Sequence, residues 1–458
     1  MPFMPVILWT DALIYLLMLI AFVSAFSLRK NRQLRGQWRS IFKSRVGAAA
    51  AVVLLFYVLV GSLDSIHFHP RVASQNSETQ YSPKIVSLLD TLLVSLKNST
   101  EKTYSAPFAT HLFVKETMEL NGLQSRAYPK LTQRATHLSA NADVGFDILT
   151  KSIIGSMLGL MVAGLVIALL SLLARQNILK KPTTSAGIQW RSISSMLMTI
   201  CMLFGALFYL SEFYHVLGTD KVGQDVFFTS IKSIRTGLVI GTLTTLIMLP
   251  FAVLLGIMAG YYQGWIDDVI QYIYTTLNSI PGILLIAASI LMLQVAMDNN
   301  PEAFSTIEAR ADARLFFLCL ILGVTSWTGL CRLLRGETLK LRELDYIQAG
   351  KALGTSNLKI ILRHILPNVM HIVLISIVLD FSFLVLAEAV LAYIEIGVDP
   401  TMNSWGNMIN SARLEMSREP IVWWSLFAAF SFMVVLVLAA NLFSDAVRDA
   451  FDPKLRTR

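Results

Sequence analysis

Long apolar runs separated by polar connectors dominate the pattern of hydrophobic and polar positions along this chain of 458 residues. A helix needs roughly 20 apolar residues to cross the hydrocarbon core of a bilayer. Runs of about this length predict membrane-spanning helices at residues 7–27, 46–63, 153–174, 193–210, 236–261, 277–297, 315–334, 371–394 and 422–441. We therefore expect an all-α polytopic membrane protein with about nine transmembrane helices.

One long segment between these runs, residues 64–150, is polar and rich in Ser, Thr and Asn. It contains no run long enough to cross a membrane, so it predicts an insertion outside the bilayer. Residues 83–98 are expected to form a helix, because Ile85 and the leucines at 88, 89, 92, 93 and 96 fall on one helical face.

These features predict four regions along the chain. They are N-terminal spans with a basic connector (1–63), the extracytoplasmic insertion (64–150), an extra transmembrane hairpin (151–212) and a C-terminal core (213–458). The core contains an amphipathic loop at residues 343–368.

The composition is that of a membrane protein and excludes an ordinary soluble globular one. Hydrophobic residues make up 55% and charged residues 15% of the chain, and the mean hydropathy is +0.60. The net charge of +8 does not indicate nucleic-acid binding, because the bases cluster beside apolar runs. The expected cytoplasmic connectors hold 22 Lys and Arg, against 7 in the short outside loops. This asymmetry predicts an N-terminus outside and a cytoplasmic C-terminus.

Residues able to carry metal or redox chemistry are few and scattered. His67 and His69 offer only two ligands, and surface histidines are a better interpretation than a metal site. The cysteines lie inside apolar runs without paired spacing, and they are Cys201, Cys319 and Cys331. We therefore expect three inert thiols and no metal or cofactor site.

The amphipathic loop 343–368 lies between two of the apolar runs. Its first part has good helix formers and no proline, and Gly354 stands where a helix would stop, because glycine tolerates the left-handed conformation. Thr355 or Ser356 can cap a second helix, and Pro367 is expected to end it. The prediction is a helix-turn-helix outside the bilayer.

The second helix of this loop is expected to pack one apolar stripe on the protein. The stripe consists of Leu358, Ile361, Leu362, Ile365 and Leu366. Lys359, Arg363 and His364 face away from it. One face of the loop is therefore presented to the aqueous side.

At these residues the sequence resembles the EAA loop of ABC importer permeases. Gln348-Ala349-Gly350 fill the first three places of the motif, Gly354 is its glycine, and Leu366-Pro367 close it at the family's spacing. Gln348 and Gly350 depart from the family's Glu and Ala. In that family the loop docks in a groove of the cytoplasmic ATPase. The resemblance implies an ATPase-coupling role for Tyr346, Ala349, Gly350, Leu353, Gly354, Thr355, Ser356 and Pro367.

Further motifs in the right order are similar to the dipeptide, oligopeptide and nickel branch of these permeases. The outside motif G-T-D-x-x-G-R-D-V-F is matched by Gly218, Thr219, Asp220, Gly223, Asp225, Val226 and Phe227, together with Arg235 downstream. Gln224 replaces its arginine. Ser404-Trp405-Gly406 resemble a second outside motif, and Glu395 puts a charge where a glycine is usual. The resemblance implies a six-helix type I importer core.

Two pairs of carboxylates in the predicted core could carry chemistry. Asp267 and Asp268 are adjacent, point to different helix faces and are expected to be solvated. Asp380 and Glu388 lie within an apolar run, where a charge costs roughly 2.5–3.5 kcal/mol and usually faces a cavity or a partner. We expect Asp380 and Glu388 to line the translocation pathway or to contact the partner permease. A hydrogen bond to a neighbouring helix is the alternative for Glu388.

The resemblance implies a permease subunit of an ABC importer in the bacterial inner membrane, surrounded by membrane lipid. Its expected partners are a second permease, two ATPases and an extracytoplasmic solute-binding protein. The chain should not hydrolyse ATP, because its only Gly-Lys pair, Gly350-Lys351, is followed by Ala and lacks the phosphate-binding motif. An intramembrane enzyme or a membrane-anchored sensor that uses the insertion is the alternative. The solute, whether peptide, antimicrobial peptide, polyamine or metal complex, stays open, and the inward direction rests on analogy.

Overall fold

The structure is a computed structural model, and it describes residues 3–30, 32–72, 80–120, 123–137, 143–178, 189–300 and 306–451. The chain forms two compact units. The first comprises Met1–Val6, Arg39–Thr236 and Asn403–Ala439, and the second comprises Ile7–Trp38, Gly237–Met402 and Ala440–Arg458.

Helices dominate both units. They are α1 (Trp9–Lys30), α2 (Arg32–Ile41), α3 (Arg45–Asp64), α4 (Leu88–Leu92), α5 (Val94–Asn98), α6 (Val144–Ile178), α7 (Trp190–Ser211), α8 (Val226–Tyr262), α9 (Trp265–Ser279), α10 (Gly282–Asp298), α11 (Ile307–Ser326), α12 (Thr328–Arg342), α13 (Asp345–Ala352), α14 (Asn357–Ile360), α15 (Leu366–Tyr393), α16 (Trp405–Glu415) and α17 (Trp424–Phe451). A π-helical turn, Ile361–Ile365, joins α14 to α15.

Seven helical segments within the described ranges are long and apolar enough to span a membrane. They are Arg45–Asp64, Val144–Leu172, Trp190–Ser211, Val226–Tyr262, Ile307–Arg342, Asn357–Tyr393 and Trp424–Phe451. Each lies on one of the predicted runs, so a predominantly α-helical, multi-pass membrane protein is confirmed.

The predicted count of nine spans is not confirmed. The run at 277–297 falls on α9 and α10, which are bent by 84° at a break and give an eighth span only if the pair is counted as one. Pro281 stands at the N-cap of α10, where its fixed backbone angle separates the two helices. The first predicted run falls on α1 (Trp9–Lys30), and the apolar part of α1 whose side chains the structure describes continuously, Trp9–Ile20, is shorter than a span.

In the first unit, α6 and α7 form a closely packed hairpin. A Cβ on Gly159 would lie 2.0 Å from the carbonyl oxygen of Cys201, and one on Gly205 would lie 2.7 Å from the oxygen of Gly155. Only glycine permits this approach of the two backbones. The small residues therefore hold the predicted hairpin together.

The insertion is built partly from strands. The strands are β1 (Phe3–Val6), β2 (His67–Val72), β3 (Gln80–Tyr81), β4 (Val86–Ser87), β5 (Glu116–Leu120) and β6 (Leu123–Ala127). Antiparallel pairing joins β2 to β1, β3 and β4, and joins β5 to β6 in a separate hairpin. The N-terminal residues of the chain thus form part of the same sheet as the insertion.

The single helix predicted at 83–98 is wrong. Residues Val86–Ser87 pair with β2 as strand β4, and helices α4 and α5 follow separately. Ser87 starts α4 by a capping box, in which its hydroxyl accepts from the backbone N–H of Asp90. Leu93 has φ −104° and ψ 23° and interrupts the helix. A local cap and strand pairing override the leucine periodicity here.

A buried charge cluster ties α3 and α4 to the start of α8 in this unit. The ammonium of Lys232 lies 2.5 Å from Oδ1 of Asp64 and 3.0 Å from Oδ1 of Asp90. Lys97 pairs with Oδ2 of Asp90 at 2.8 Å. These ion pairs fix the first turns of the insertion to the span from which it leaves.

In the second unit, the C-terminal part of α8 packs closely on α12. A Cβ on Gly256 would lie 2.8 Å from the carbonyl oxygen of Cys331, and one on Gly260 would lie 2.7 Å from that of Arg335. These two glycines, four residues apart, let the helix backbones approach. The contact brings the ends of α8 and α12 together directly before α13.

The prediction that Asp267 is solvated is wrong. Its carboxylate is buried and accepts two hydrogen bonds from Arg335, from Nε at 2.6 Å and from Nη2 at 2.7 Å. Two parallel N–H···O bonds make this a geometrically specific pair. Asp268, on another face of α9, is exposed as predicted. The pair connects α9 to α12.

The N-terminal helix α1 contacts α11 in the second unit. The carboxylate of Asp312 accepts hydrogen bonds from the backbone N–H and the hydroxyl of Thr10. All these groups are buried. The carboxylate satisfies a backbone donor in the first turn of α1, which has no intrahelical partner.

Candidate functional site

The predicted coupling loop is a short helix, α13, followed by a tight turn. Ile347 anchors α13, because its side chain is 1% exposed and belongs to the apolar core formed with α8 and α12. Tyr346 and Leu353 point outward, with exposed fractions of 46% and 85%. Ala349 is also exposed. We call Tyr346, Ala349 and Leu353 the coupling face.

The turn after α13 forms at Gly354, as predicted. Its φ is +75°, the left-handed region that favours glycine. The N–H of Thr355 donates to the oxygen of Gly350 and the N–H of Gly354 to that of Lys351, both at 3.0 Å. These two bonds are the Schellman pattern of a helix end. No atom lies within 4 Å of the position of a Cβ on Gly354, so backbone conformation alone selects glycine there.

Contacts from α8 and α12 hold the loop in place. The hydroxyl of Tyr261 donates to Oδ1 of Asn357 at 2.8 Å, and the ammonium of Lys351 lies 4.8 Å from the centre of the Tyr261 ring. Nη1 of Arg342 donates to the backbone carbonyl oxygen of Tyr261, and Nε2 of Gln348 donates to the backbone carbonyl oxygen of Arg342. One aromatic side chain at the end of α8 therefore contacts both sides of the turn.

The prediction for the second helix is half right. Ser356 is at its N-cap position, with φ −62° and ψ 142°, although its side chain makes no capping bond. Pro367 does not end the helix, because it lies in the first turn of α15. A proline is tolerated there, because it carries no backbone N–H and this donor is not needed at the start of a helix. The helix passes through the π-helical turn, where the N–H of Leu366 donates to the oxygen of Ile361.

The predicted apolar stripe is right at Ile361, Ile365 and Leu366, which lie in or against the apolar core, and wrong at Leu358 and Leu362. Leu358 and Leu362 are 65% and 55% exposed. The buried residues are Ile360, Ile365, Val369 and Val373. Their separations are five, four and four residues, because the π-helical turn holds more residues than an α-helical turn. A strict α-helical period therefore places only part of the stripe. The exposed leucines add apolar surface beside the turn.

The two intramembrane carboxylates of α15 have different surroundings. Glu388 is 3% exposed, and with Phe381 and Val385 it falls on one face of the helix. That face packs on α8, since a Cβ on Gly241 would lie 2.4 Å from the Phe381 ring. Asp380 is partly exposed. The burial of Glu388 within this chain is consistent with the alternative of a contact to a neighbouring helix. A role of Asp380 and Glu388 in the translocation pathway stays a prediction.

A second polar centre, which the sequence did not reveal, lies in the first unit. His215, Glu101 and Asp225 are completely or almost completely buried, with side-chain exposures of 0%, 1% and 0%. Nδ1 of His215 lies 2.7 Å from Oδ2 of Asp225, and Nε2 lies 3.8 Å from Oε1 of Glu101. We call these three residues the junction, because they join the insertion to the segment before α8.

The electrostatics of the junction favour its charged form. Burial opposes ionisation of Glu101, but the imidazole of His215 and the N–H groups of Thr132 and Gln133 lower its pKa to about 2. Burial also opposes protonation of His215, but the carboxylates of Asp225 and Glu101 raise its pKa above the ordinary 6.5. An imidazolium between two carboxylates is thus the stable arrangement.

The backbone completes the junction. Gly223 has φ +77°, and a Cβ there would lie 1.8 Å from the carbonyl oxygen of Glu101. The N–H of Glu101 donates to the oxygen of Gly223 at 2.9 Å. Thr219 exchanges hydrogen bonds with Ser105, and the indole N–H of Trp424 donates to the Thr219 oxygen at 2.9 Å. Residues of the predicted outside motif therefore hold the insertion in place through hydrogen bonds.

Comparison with known proteins gives a family match in the C-terminal half. Residues 252–457 match the family described as "Binding-protein-dependent transport system inner membrane component". This range contains α13, the turn at Gly354 and the intramembrane carboxylates. The insertion and the junction lie before it.

Curated relatives extend the match. The chain is 32% identical over 243 residues to the glutathione transport system permease protein of Pectobacterium atrosepticum, which covers 53% of this chain and 74% of that protein. It is 33% identical over 243 residues to the dipeptide transport system permease protein of Alkalihalophilus pseudofirmus (53% and 73%). It is 31% identical over 254 residues to the oligopeptide transport system permease protein of Mycobacterium tuberculosis (56% and 81%).

Proposed function

The chain belongs to the family of inner-membrane permease components of binding-protein-dependent ABC importers, and we propose that it pairs with a second permease and two ATPases to import short peptides. Membership makes it a multi-pass inner-membrane transport subunit that works with an ATPase and a solute-binding protein. The interpretation as an intramembrane enzyme or sensor is not supported, because these relatives are transport permeases.

The coupling face carries this proposal. Helix α13 keeps Ile347 in the core and exposes Tyr346, Ala349 and Leu353. Leu353, at the end of this short helix, is 85% exposed, and a leucine presented in this way suits an apolar groove on a partner. The small Ala349 permits close approach. We infer that the ATPase receives this face and moves it with nucleotide state.

The turn at Gly354 connects this face to a membrane span. Because α14, the π-helical turn and α15 run on continuously from the turn, a displacement of α13 is delivered to the helix that carries Asp380 and Glu388. ATP binding can shift the permease only through contacts that differ between its inward- and outward-facing states. We propose that the coupling face makes these state-dependent contacts with the ATPase.

The deciding experiment compares two glycine variants in the assembled transporter. Gly354→Val forces a β-branched residue into a left-handed turn and is expected to reduce peptide uptake at least tenfold at equal membrane abundance. Gly336→Ala is the matched control, because Gly336 lies in α12, outside the coupling residues, with no atom within 4 Å of its Cβ position. It should leave uptake unchanged. Uptake close to wild type in Gly354→Val removes the coupling role.

The sidedness is part of the proposal and rests on the distribution of basic residues. We place the N-terminus and the insertion outside and the C-terminus in the cytoplasm. A reporter fused after Ser99 should read as extracytoplasmic and one after Ser356 as cytoplasmic. The same side for both fusions contradicts this topology.

The intramembrane carboxylates have a test of their own. We propose that Asp380 and Glu388 act in the translocation pathway, so Asp380→Asn and Glu388→Gln should assemble normally and transport poorly. Full uptake in both variants excludes a pathway role.

A further inference from the structure

A cavity of about 340 Å³ opens in the second unit between the end of α10, the start of α11 and the loop at residues 399–401. Arg310, Arg314, Asp399 and Thr401 supply polar groups, while Leu293 and Met297 belong to an apolar wall. Pockets of roughly 300 Å³ or more that combine an apolar wall with a few polar groups are typical of small-ligand sites. The coupling role uses none of these side chains.

Arg314 is the centre of this cavity. Its side chain is only 14% exposed, and its Nη1 lies 3.8 Å from Oδ2 of Asp399, which is longer than a hydrogen bond. Its Nε is buried and finds no hydrogen-bond acceptor among the residues that the structure describes. Buried donors in proteins normally have an acceptor. The Arg314 guanidinium is therefore placed to bind an oxygen that enters the cavity.

Neighbouring groups fix the geometry and the charge. Oδ1 of Asp399 accepts from the N–H and the hydroxyl of Thr401, at 2.9 and 2.7 Å, which holds this carboxylate in place. Arg310 lies one helical turn before Arg314 and pairs with Asp298 at the end of α10. The lining contains two cations and one anion. Asp298 neutralises Arg310, so the guanidinium of Arg314, which lies beyond hydrogen-bond distance of Asp399, is the cation placed to receive an anionic oxygen.

We propose that this cavity binds the terminal carboxylate of a short peptide. The planar guanidinium of Arg314 matches the two oxygens of a carboxylate, and the adjoining side chain of the peptide lies against Leu293 and Met297. The proposal rests on the peptide-import function above. The connection between α10 and α11 is an outside loop in the sequence topology, so the cavity meets the solute on the side from which it arrives.

The test uses the whole transporter, assembled in nanodiscs of phosphatidylcholine. The probes are the tripeptide Ala-Bpa-Ala, in which Bpa is photoreactive benzoylphenylalanine, as its free acid and as its C-terminal amide. After irradiation, labelled residues are identified by mass spectrometry. We expect the free acid to label residues at the cavity, including Leu293 or Met297, at least tenfold more than the amide does.

Variants assign the effect to the guanidinium. Arg314→Gln should reduce labelling by the free acid at least tenfold, to the level of the amide. Arg314→Lys should restore part of the labelling, because lysine keeps the positive charge but lacks the planar pair of N–H donors of a guanidinium. Lys340→Gln is the control, since Lys340 is 76% exposed and lies on α12. If Arg314→Gln fails to assemble, the acid and amide probes on the wild-type complex decide.

Competing ligands give outcomes that overturn the proposal. Equal labelling by acid and amide excludes recognition of the carboxylate. Labelling that falls when phosphatidylglycerol replaces phosphatidylcholine, and is unaffected by unlabelled Ala-Phe-Ala, assigns the cavity to a lipid phosphate instead.

Peptide uptake by wild-type complex in proteoliposomes separates the two proposals. Uptake without labelling of the cavity refutes the carboxylate site alone. Absence of uptake of any peptide refutes the import function, whatever the cavity binds.

Discussion

The junction and the coupling loop contain the same backbone conformation in opposite surroundings. Gly223 has φ +77° and Gly354 has φ +75°. A Cβ on Gly223 would overlap the carbonyl oxygen of Glu101 at 1.8 Å, whereas nothing lies within 4 Å of one on Gly354. Beside Gly223 the three charged side chains of the junction are buried, and around Gly354 side chains are exposed. The junction is covered by other residues of this chain, whereas the turn at Gly354 is accessible to a partner protein.

This difference indicates how each region is expected to respond to change. Buried ion pairs are costly to break, because the remaining charge has lost its solvent and its partner. Exposed side chains contribute little to folding, so their replacement is seen only in an assay that includes the partner. Stability measurements should therefore detect changes at the junction, and transport measurements should detect changes at the coupling face.

The largest effect is expected for His215→Ala. Removal of the imidazole leaves the buried carboxylates of Glu101 and Asp225 without their shared cation, and we expect a loss of about 3–5 kcal/mol in the stability of the insertion. Protease resistance of the insertion in intact membranes measures this loss. The control is Lys102→Ala, whose ion pair with Glu116 is 70% exposed on the lysine side and should contribute less than about 1 kcal/mol. Equal protease resistance of both variants contradicts a stabilising junction.

Next in size is the contrast between two identical substitutions. Gly223→Ala combines left-handed strain with overlap of a backbone oxygen and should cost about 3 kcal/mol or more. Gly354→Ala meets only the strain and should cost about 1 kcal/mol. Thermal unfolding of the purified complex compares the two directly. Similar melting temperatures for both variants would show that their surroundings do not differ as described.

The pH dependence of the junction should have two arms. The pKa of Glu101 is lowered from 4.5 to about 2, so its contribution is complete above pH 4.5 and is lost as pH falls toward 2. The pKa of His215 is raised above 6.5, so its contribution is complete below pH 6.5 and is lost as pH rises through the pKa of the folded state.

A pH series of protease resistance measures both arms. Resistance should be highest in mildly acidic solution. Glu101→Gln should remove the acid arm and leave Asp225 to sustain part of the alkaline one. Protease resistance that does not change from pH 3 to 9 is incompatible with a charged junction.

The smallest effect on stability is expected at the coupling face. Leu353→Ser replaces a side chain that is 85% exposed, and the melting temperature of the permease should change by an amount equivalent to about 0.5 kcal/mol or less. Peptide-stimulated ATP hydrolysis should nevertheless fall several-fold. A stable variant with full stimulation would remove Leu353 from the contact.

Features set by local pattern could be predicted from the sequence. Apolar runs located the spans, and the turn at Gly354 followed from a glycine after helix formers. The bend between α9 and α10 was not expected, because a single proline is compatible both with a helix start and with a break in the span. The first two strands pair residues at the N-terminus with residues after α3, and no local period records such a pairing.

Side-chain partners distant in sequence were the second limit. Asp267 was expected in solvent because its pairing with Arg335, on another helix, leaves no trace in spacing. Glu101 and His215 lie in different predicted regions, and neither forms part of a motif. Sequence pattern therefore located the coupling loop and missed the junction, since only the loop is built from consecutive residues.

The π-helical turn between α14 and α15 has a consequence for insertions and deletions. A π-helical turn is an α-helix with one additional residue. Removal of one residue from Ile361–Ile365 would leave an α-helix in which Ile360 and the present Ile365 are four positions apart. Every residue on either side would then keep its face, Asp380 and Glu388 included. At this point alone, the chain between the turn at Gly354 and the span can change its length by one residue without rotating the span.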